Sequence, residues 1–233
     1  MRLGLTIDLD TCVGCHACAV ACKEWNGESL MAGPLPDYNP YGNEPSGAWL
    51  NRIRSFEYGQ HPESKTVNVP MSCLHCEEAA CVTVCPTGAS YKRDDGIVLV
   101  DPDKCMGCNY CAWACPYGAR ELDQQAGVMK KCTLCVDRIY DERLPPADRQ
   151  PACVLACPTS ARMFGDFDDP QSAVAQAAAA RGMPPMLNDL GYKPVNNYLA
   201  PRCAPEVKVD TQQFPKKTLT QLLKEWVGTS KAI

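Results

Sequence analysis

The chain has 233 residues, 45% of them hydrophobic and 21% charged, with a formal net charge of −4. That balance fits a globular protein with a core of its own; it excludes wholesale disorder and a general nucleic-acid binder, which would carry a basic face. The unusual figures are 17 Cys, 20 Pro and 16 Gly beside only 7% aromatics, a composition of short elements joined by many turns.

No run of about 18 apolar residues occurs, so no bilayer-spanning helix is expected. Met1 to Thr6 offers one Arg and no apolar stretch before Asp8, so no secretory leader is expected either. The expected compartment is the cytosol, where structural disulfides are rare and so many cysteines point to metal.

In chain order, Cys12, Cys15, Cys18 and Cys22 come first, spaced C-x2-C-x2-C-x3-C. Residues 23–72 read as an insertion rich in turn formers, with alternation over Trp49–Arg54 and Thr66–Val69 predicting a hairpin. Cys73, Cys76, Cys81 and Cys85 follow as C-x2-C-x4-C-x3-C-P, then an Asp95-Gly96 turn and a short strand through Ile97–Val100. The third tetrad, Cys105, Cys108, Cys111 and Cys115, repeats the first spacing. The fourth, Cys132, Cys135, Cys153 and Cys157, is split by a 17-residue insertion whose charges (Asp137, Arg138, Asp141, Glu142, Arg143) predict a solvated face. A helix is expected over about Gln171–Arg181, then a weakly structured stretch through 184–215. Leu219, Leu222, Leu223, Trp226 and Val227 recur at helical spacing and predict a terminal amphipathic helix suited to packing on another subunit. Cys203 has no companion and is expected to be inert.

C-x2-C-x2-C-x3-C-P is the bacterial ferredoxin run, whose fourth Cys serves a neighbouring cluster. Three thiolates on a tight loop can grip three corners of a cube, while the fourth, on a helical turn stopped by Pro86, Pro116 or Pro158, points away. Small residues between ligands let backbone N–H groups approach the cluster sulfurs. Zinc knuckles also use C-x2-C, but as two well-separated pairs rather than four cysteines in eleven residues.

Internal repeats predict the pairing. Asp8 to Cys15 matches Asp101 to Cys108, and both continue Cys-Ala-x-Ala-Cys; Cys81 to Ala89 matches Cys153 to Ala161. Two motif types, each present twice, mean a duplicated two-cluster unit. Tetrads two and three begin 32 residues apart and predict one ferredoxin-like module at 73–124. Tetrads one and four then form the other, from 1–22 plus 125–165. The fold class expected is α+β, two ferredoxin-like two-cluster modules with loop-rich insertions and a C-terminal extension over 166–233. With the last Cys traded inside each pair, four [4Fe–4S] clusters sit on Cys12, Cys15, Cys18 and Cys157; on Cys132, Cys135, Cys153 and Cys22; on Cys73, Cys76, Cys81 and Cys115; and on Cys105, Cys108, Cys111 and Cys85. His16 and His75 lie inside these loops, but no Cys is missing from a tetrad, so both are expected to be structural or to tune potential. Lys130 and Lys131 stand where they could offset cluster charge. No nucleophile–base pair, P-loop or dinucleotide fingerprint occurs, so no substrate chemistry is expected of this chain alone.

Cys12-Val13-Gly14-Cys15-His16-Ala17-Cys18, Ala21-Cys22-Lys23-Glu24-Trp25-Asn26, Cys81-Val82-Thr83-Val84-Cys85-Pro86-Thr87-Gly88-Ala89 and Lys131-Cys132-Thr133-Leu134-Cys135 together resemble the four-cluster iron–sulfur subunits of the dimethyl-sulfoxide-reductase (molybdopterin) enzyme complexes, over roughly residues 1–165. Within that family the pattern is most similar to the iron–sulfur subunits of membrane-bound cytoplasmic sulfite dehydrogenases. The resemblance implies a large molybdopterin catalytic subunit, a quinone-binding membrane anchor, and electron relay between them during sulfite oxidation. It also implies a position on the inner face of the cell membrane, held there by partners. Polysulfide or dimethyl-sulfoxide reductases, formate dehydrogenases and hydrogenases are the alternative hosts for such a wiring subunit.

Overall fold

The structure, a computed structural model, describes residues 1–27 and 48–202. In chain order these form β1 (Leu3–Asp8), α1 (Ala17–Asn26), β2 (Asn51–Tyr58), β3 (Lys65–Ser72), α2 (Ala80–Thr83), β4 (Ser90–Lys92), β5 (Val98–Val100) and α3 (Tyr110–Trp113). There follow β6 (Glu121–Asp123), β7 (Val128–Lys130), α4 (Val136–Ile139), α5 (Ala152–Leu155), β8 (Arg162–Asp166), α6 (Ala173–Arg181) and β9 (Asn197–Leu199).

β1 reads Leu-Gly-Leu-Thr-Ile-Asp, nearly continuous in apolar character, as a strand covered on both sides must be. It lies between β8, antiparallel with Leu5 opposite Phe164, and β9, parallel with Ile7 opposite Tyr198. Leu5, Thr6 and Ile7 are fully buried. The α6 helix closes one face: Thr6 Oγ1 donates to the Val174 carbonyl at 3.2 Å, and Gly165 leaves only 3.0 Å between a would-be Cβ and Val174. Ser172 caps that helix by accepting from the Ala175 N–H, and Arg181 in its last turn pairs with Asp8 and Asp10 at the end of β1.

β4 and β5 form a smaller antiparallel pair that repeats the β8–β1 pair. Asp8 N–H donates to the Ala161 carbonyl at 2.7 Å, and Asp101 N–H to the Ala89 carbonyl at 2.8 Å. Just beyond, the Asp8 side chain takes the Asp10 N–H at 2.9 Å, as Asp101 takes the Asp103 N–H at 3.0 Å. The duplication read in the sequence thus extends to individual backbone hydrogen bonds.

The core is unusual in its membership. Leu3, Leu5, Ile7, Leu74, Ile97, Leu134 and Tyr198 pack together with Cys18, Cys73, Cys132 and Cys153. Four of the tetrad thiols therefore form part of the interior.

The hairpin expected within 23–72 is β2 paired with β3, Asn51 opposite Ser72 and Tyr58 opposite Lys65, longer than the sequence pattern indicated. The expected helix near 171–181 is α6. One expectation is revised. The stretch from 184 was read as weakly structured, yet Asn196 and β9 are tightly held. The Asn196 side chain accepts the Leu5 N–H at 2.7 Å and donates to the Cys73 carbonyl at 2.9 Å, and Tyr198 Oη donates to the Pro70 carbonyl at 2.8 Å. Backbone partners outside the local sequence supply this order, which a search for hydrophobic period cannot see. The charged insertion after Cys135 presents Asp137, Glu142 and Arg143 to solvent, as expected; its first turn also contacts α1 at the surface, where Trp25 Nε1 donates to Asp137 at 3.0 Å and Arg138 lies 4.4 Å over the Trp25 ring. Cys203 and the terminal stripe from Leu219 to Val227 lie outside the described residues.

Candidate functional site

Each cysteine loop is shaped by a left-handed turn. Gly14 and Gly107 both have φ +69°, and His16 and Asn109, two residues on, have φ 62° and 63°. A Cβ on Gly107 would stand 2.5 Å from the Gly127 carbonyl oxygen, so glycine is required there for space as well as for φ; one on Gly14 would stand 2.7 Å from the movable Asn68 side chain, so there φ is the main constraint. Such windings turn successive N–H groups toward an anion. α1 and α3 begin immediately after them.

All sixteen cysteines of the tetrads lie in the described region, and they gather in fours. Cys12, Cys15, Cys18 and Cys157 line one small cavity, together with Gly14, His16 and Arg162. Cys85, Cys105, Cys108 and Cys111 line a second. Each thus combines three thiols of a C-x2-C-x2-C loop with the last thiol of a distant C-x3-C-P. Cys76 is half-buried, and partial burial first, then Cys73, Cys81 and Cys115, push its pKa up to about 12. Cys22 is likewise pushed up, first by burial and then by Cys132, Cys153 and Cys135. Asn26 joins that last set, its amide reaching Cys22 Sγ at 3.6 Å and Cys135 Sγ at 3.8 Å.

The last thiols of the second and fourth tetrads behave differently. Burial acts upward on Cys85 and Cys157, but hydrogen bonds outweigh it and hold both below the usual thiol value. Cys85 Sγ accepts the Ser90 N–H at 3.4 Å and Cys157 Sγ the Ala161 N–H at 3.2 Å, with Thr87 and Thr159 hydroxyls alongside at 3.6 and 3.7 Å. N–H groups of Met129 and Leu134 point at Cys105 and Cys132 in the same way, at 3.4 and 3.5 Å. Hydrogen bonds to sulfur favour the thiolate and help set a cluster's potential.

This donor set fits iron cubes. Buried thiols that raise one another's pKa cannot all ionise unless a cation takes up the charge, and bound iron does that. Among the described residues no three Cys, His, Asp or Glu side chains converge as one mononuclear ion would need; the thiols of two sets ring cavities instead.

The sets also have neighbours in common. Cys153 is near enough to Cys18 to be raised by it, and Cys132 to be raised by Cys73, in both cases after burial as the larger cause. Lys131 is only 3% exposed; it donates to the Cys132 carbonyl and lowers Cys132 and Cys81 against the upward push of burial. Its expected role beside cluster charge therefore has geometric support, while Lys130 is half-buried in β7. His75 is fully buried; its Nδ1 accepts the Val98 N–H at 3.1 Å, and burial with Lys131 and Arg120 nearby keeps its pKa well below normal. His16 instead occupies the exposed N-cap position of α1, with no capping bond from its side chain.

Two residues were missed in the sequence. Arg120 and Arg162, 7% and 3% exposed, point into the cysteine sets. The signal was available: Cys115-Pro-Tyr-Gly-Ala-Arg120 and Cys157-Pro-Thr-Ser-Ala-Arg162 place an Arg five residues after a motif-ending Cys, twice.

Loops, thiols and repeat define an iron–sulfur protein of the ferredoxin-like class. Two stretches match the 4Fe-4S dicluster domain, residues 65–167 and residues 11–89. The chain is 57% identical over 216 residues to a sulfite dehydrogenase subunit of Allochromatium vinosum, covering 92% of this protein and 89% of that one. It is 43% identical over 162 residues to the thiosulfate reductase electron transfer subunit of Salmonella typhi (70% and 74% of the two proteins). Over 186 residues it is 35% identical to a component of the anaerobic dimethyl sulfoxide reductase of Escherichia coli (78% and 82%). The protein belongs to this family of iron–sulfur electron-transfer subunits and carries four [4Fe–4S] clusters. No helix among the described residues is long and apolar enough to cross a membrane.

Proposed function

We propose that the chain relays electrons between a molybdopterin catalytic subunit and a quinone-reactive membrane anchor, in a complex that oxidises sulfite to sulfate. Its cluster ligands are the four sets named above, each with one cysteine traded from the partner tetrad. Bound [4Fe–4S] clusters supply one-electron exchange; the chain's residues hold them, surround them with apolar packing and balance their charge. The observation that carries the relay is the sharing of neighbours between sets. Cys153 lies near Cys18, Cys132 near Cys73, and Arg120 near both Cys81 and Cys111. That string runs from the set on Cys12 to the set on Cys105.

Both ends of the string reach the surface. Cys15 is exposed and Val13 is 63% exposed at one end; Met106, Tyr110 and Trp113 stand out at the other, at 64%, 51% and 79%. The family arrangement sends the module of tetrads one and four toward the molybdenum subunit and the other toward the anchor, on the inner face of the membrane. Sulfite is favoured by the sulfite dehydrogenase relative at 57% identity. The test is to purify the native complex and assay it with sulfite and a quinone analogue. Molybdenum in a co-purifying large chain with sulfite-dependent quinone reduction is expected. A large chain that reduces thiosulfate or dimethyl sulfoxide and leaves sulfite untouched contradicts the proposal.

A further inference from the structure

A buried cation needs a counter-charge, because an unpaired guanidinium in the interior is among the costlier groups a protein can bury. Among the described residues, no carboxylate pairs with Arg120 or Arg162; the ion pairs of the fold lie elsewhere, at residues such as Arg2, Arg52, Arg93 and Arg181. Each of the two arginines has one neutral anchor. Arg120 Nη1 donates to Ser90 Oγ at 2.7 Å, and Arg162 Nη2 donates to Asn51 Oδ1 at 2.7 Å. The remaining donors face sulfur. Arg120 Nη2 lies 3.0 Å from Cys81 Sγ, and Cys111 is a near neighbour of the same guanidinium. Arg162 Nη1 lies 3.5 Å from Cys153 Sγ, while the same side chain lines the cavity of Cys12, Cys15, Cys18 and Cys157. Arg162 Nε is buried and has no partner among protein atoms.

These contacts fall on both sets of each module. Cys81 and Cys111 belong to different clusters of the second module, and Cys153 and the Cys12 set to different clusters of the first. Resting on the ligand sets proposed above, we propose that Arg162 and Arg120 are charge-compensating bridges, one per module. Each lies between two clusters and raises the reduction potential of both.

The physical reason is simple. A cube held by four thiolates is net negative, and reduction adds one more negative charge, so a fixed cation nearby favours the reduced state. A cation between two such bodies acts on both at once and weakens their mutual repulsion when both are reduced. Arginine suits the place because it stays charged when buried and offers several donors in a fixed fork.

The test is a redox titration of all four clusters by electron paramagnetic resonance, in the purified complex carrying Arg162→Gln, Arg162→Lys, Arg120→Gln or Arg120→Lys. With iron content unchanged, Arg162→Gln should lower the potentials of the two first-module clusters and leave the other two in place. The expected change is at least tenfold in the oxidised-to-reduced ratio at fixed ambient potential, about 59 mV for a one-electron couple. Arg120→Gln should do the converse, and each Lys variant should recover most of the shift. Glutamine variants with full iron that move no potential, or move only one cluster of the pair, overturn the proposal, as does failure of Lys to restore what Gln loses. A Cys22→Ser variant tests the ligand sets separately. It should lose the same signal as Cys132→Ser; losing instead the signal that Cys12→Ser loses overturns the sets, and with them the bridging role of Arg162.

Discussion

The half built on tetrads one and four and the half built on tetrads two and three share their cysteine loops but differ in what covers them. Gly14 and Gly107 have the same φ, His16 and Asn109 start their helices alike, and Ala161 and Ala89 accept equivalent hydrogen bonds. The first half, however, is closed by strands from opposite ends of the chain, β1 and β8, and it takes in β9 and α6 as further cover. In the second half β4 and β5 form a two-stranded ribbon on their own. Short motifs therefore set the ligand geometry wherever they occur, while the cover depends on distant segments. Asn196 is the peg between the halves, bonded to Leu5 on one side and to the Cys73 carbonyl on the other.

The largest effect should come from removing iron, which puts both halves in question together. Cys18, Cys73, Cys132 and Cys153 belong to the hydrophobic core, so cluster binding is coupled to folding. Chelation under reducing conditions should abolish the cooperative unfolding transition seen by circular dichroism; a stripped protein that still melts cooperatively would show the halves stand without clusters. Asn196→Ala comes next. It leaves the buried Leu5 N–H and Cys73 carbonyl without their partner and should cost about 3 kcal/mol in denaturant unfolding. A cost under about 1 kcal/mol would mean that the halves do not depend on this peg.

The two loop glycines separate the halves more finely. Gly107→Ala meets a backbone carbonyl at 2.5 Å, whereas Gly14→Ala meets the movable Asn68 side chain at 2.7 Å. Alanine at 107 should cost about 3 kcal/mol and at 14 about 1 kcal/mol, the shared part being left-handed strain; equal costs would contradict the difference in neighbours. The smallest effect concerns the edge of the second half. Tyr140 Oη donates to Asp95 at 2.8 Å, and Asp95 is 5% exposed, so Tyr140→Phe should lower stability by about 1 kcal/mol by the same unfolding assay.

The sequence made the metal chemistry legible because cluster ligation is local: three cysteines within seven residues can be gripped by one loop, and the spacing says so. The β2–β3 hairpin and α6 were legible from period and turn residues. The order of Val195–Leu199 was not, since it comes from hydrogen bonds to Leu5, Leu74, Cys73 and Pro70 far away in sequence. The surface contact of the 136–139 turn was hidden for a related reason: nothing local to the Asp137-Arg138 pair says that Trp25 lies beside it. Arg120 and Arg162 were legible in principle, as a repeated Cys-Pro-x-x-Ala-Arg, but cysteine spacing alone does not draw the eye to them.

The most direct measurement concerns the traded ligand. Cys85 lies in the second tetrad by sequence, yet it lines the cavity of Cys105, Cys108 and Cys111. Cys85→Ser in the purified complex, read by electron paramagnetic resonance, should alter the same cluster signal as Cys105→Ser and leave the signal lost in Cys73→Ser intact. If Cys85→Ser instead alters the signal tied to Cys73, each tetrad binds its own cube and the exchange of ligands between tetrads is wrong.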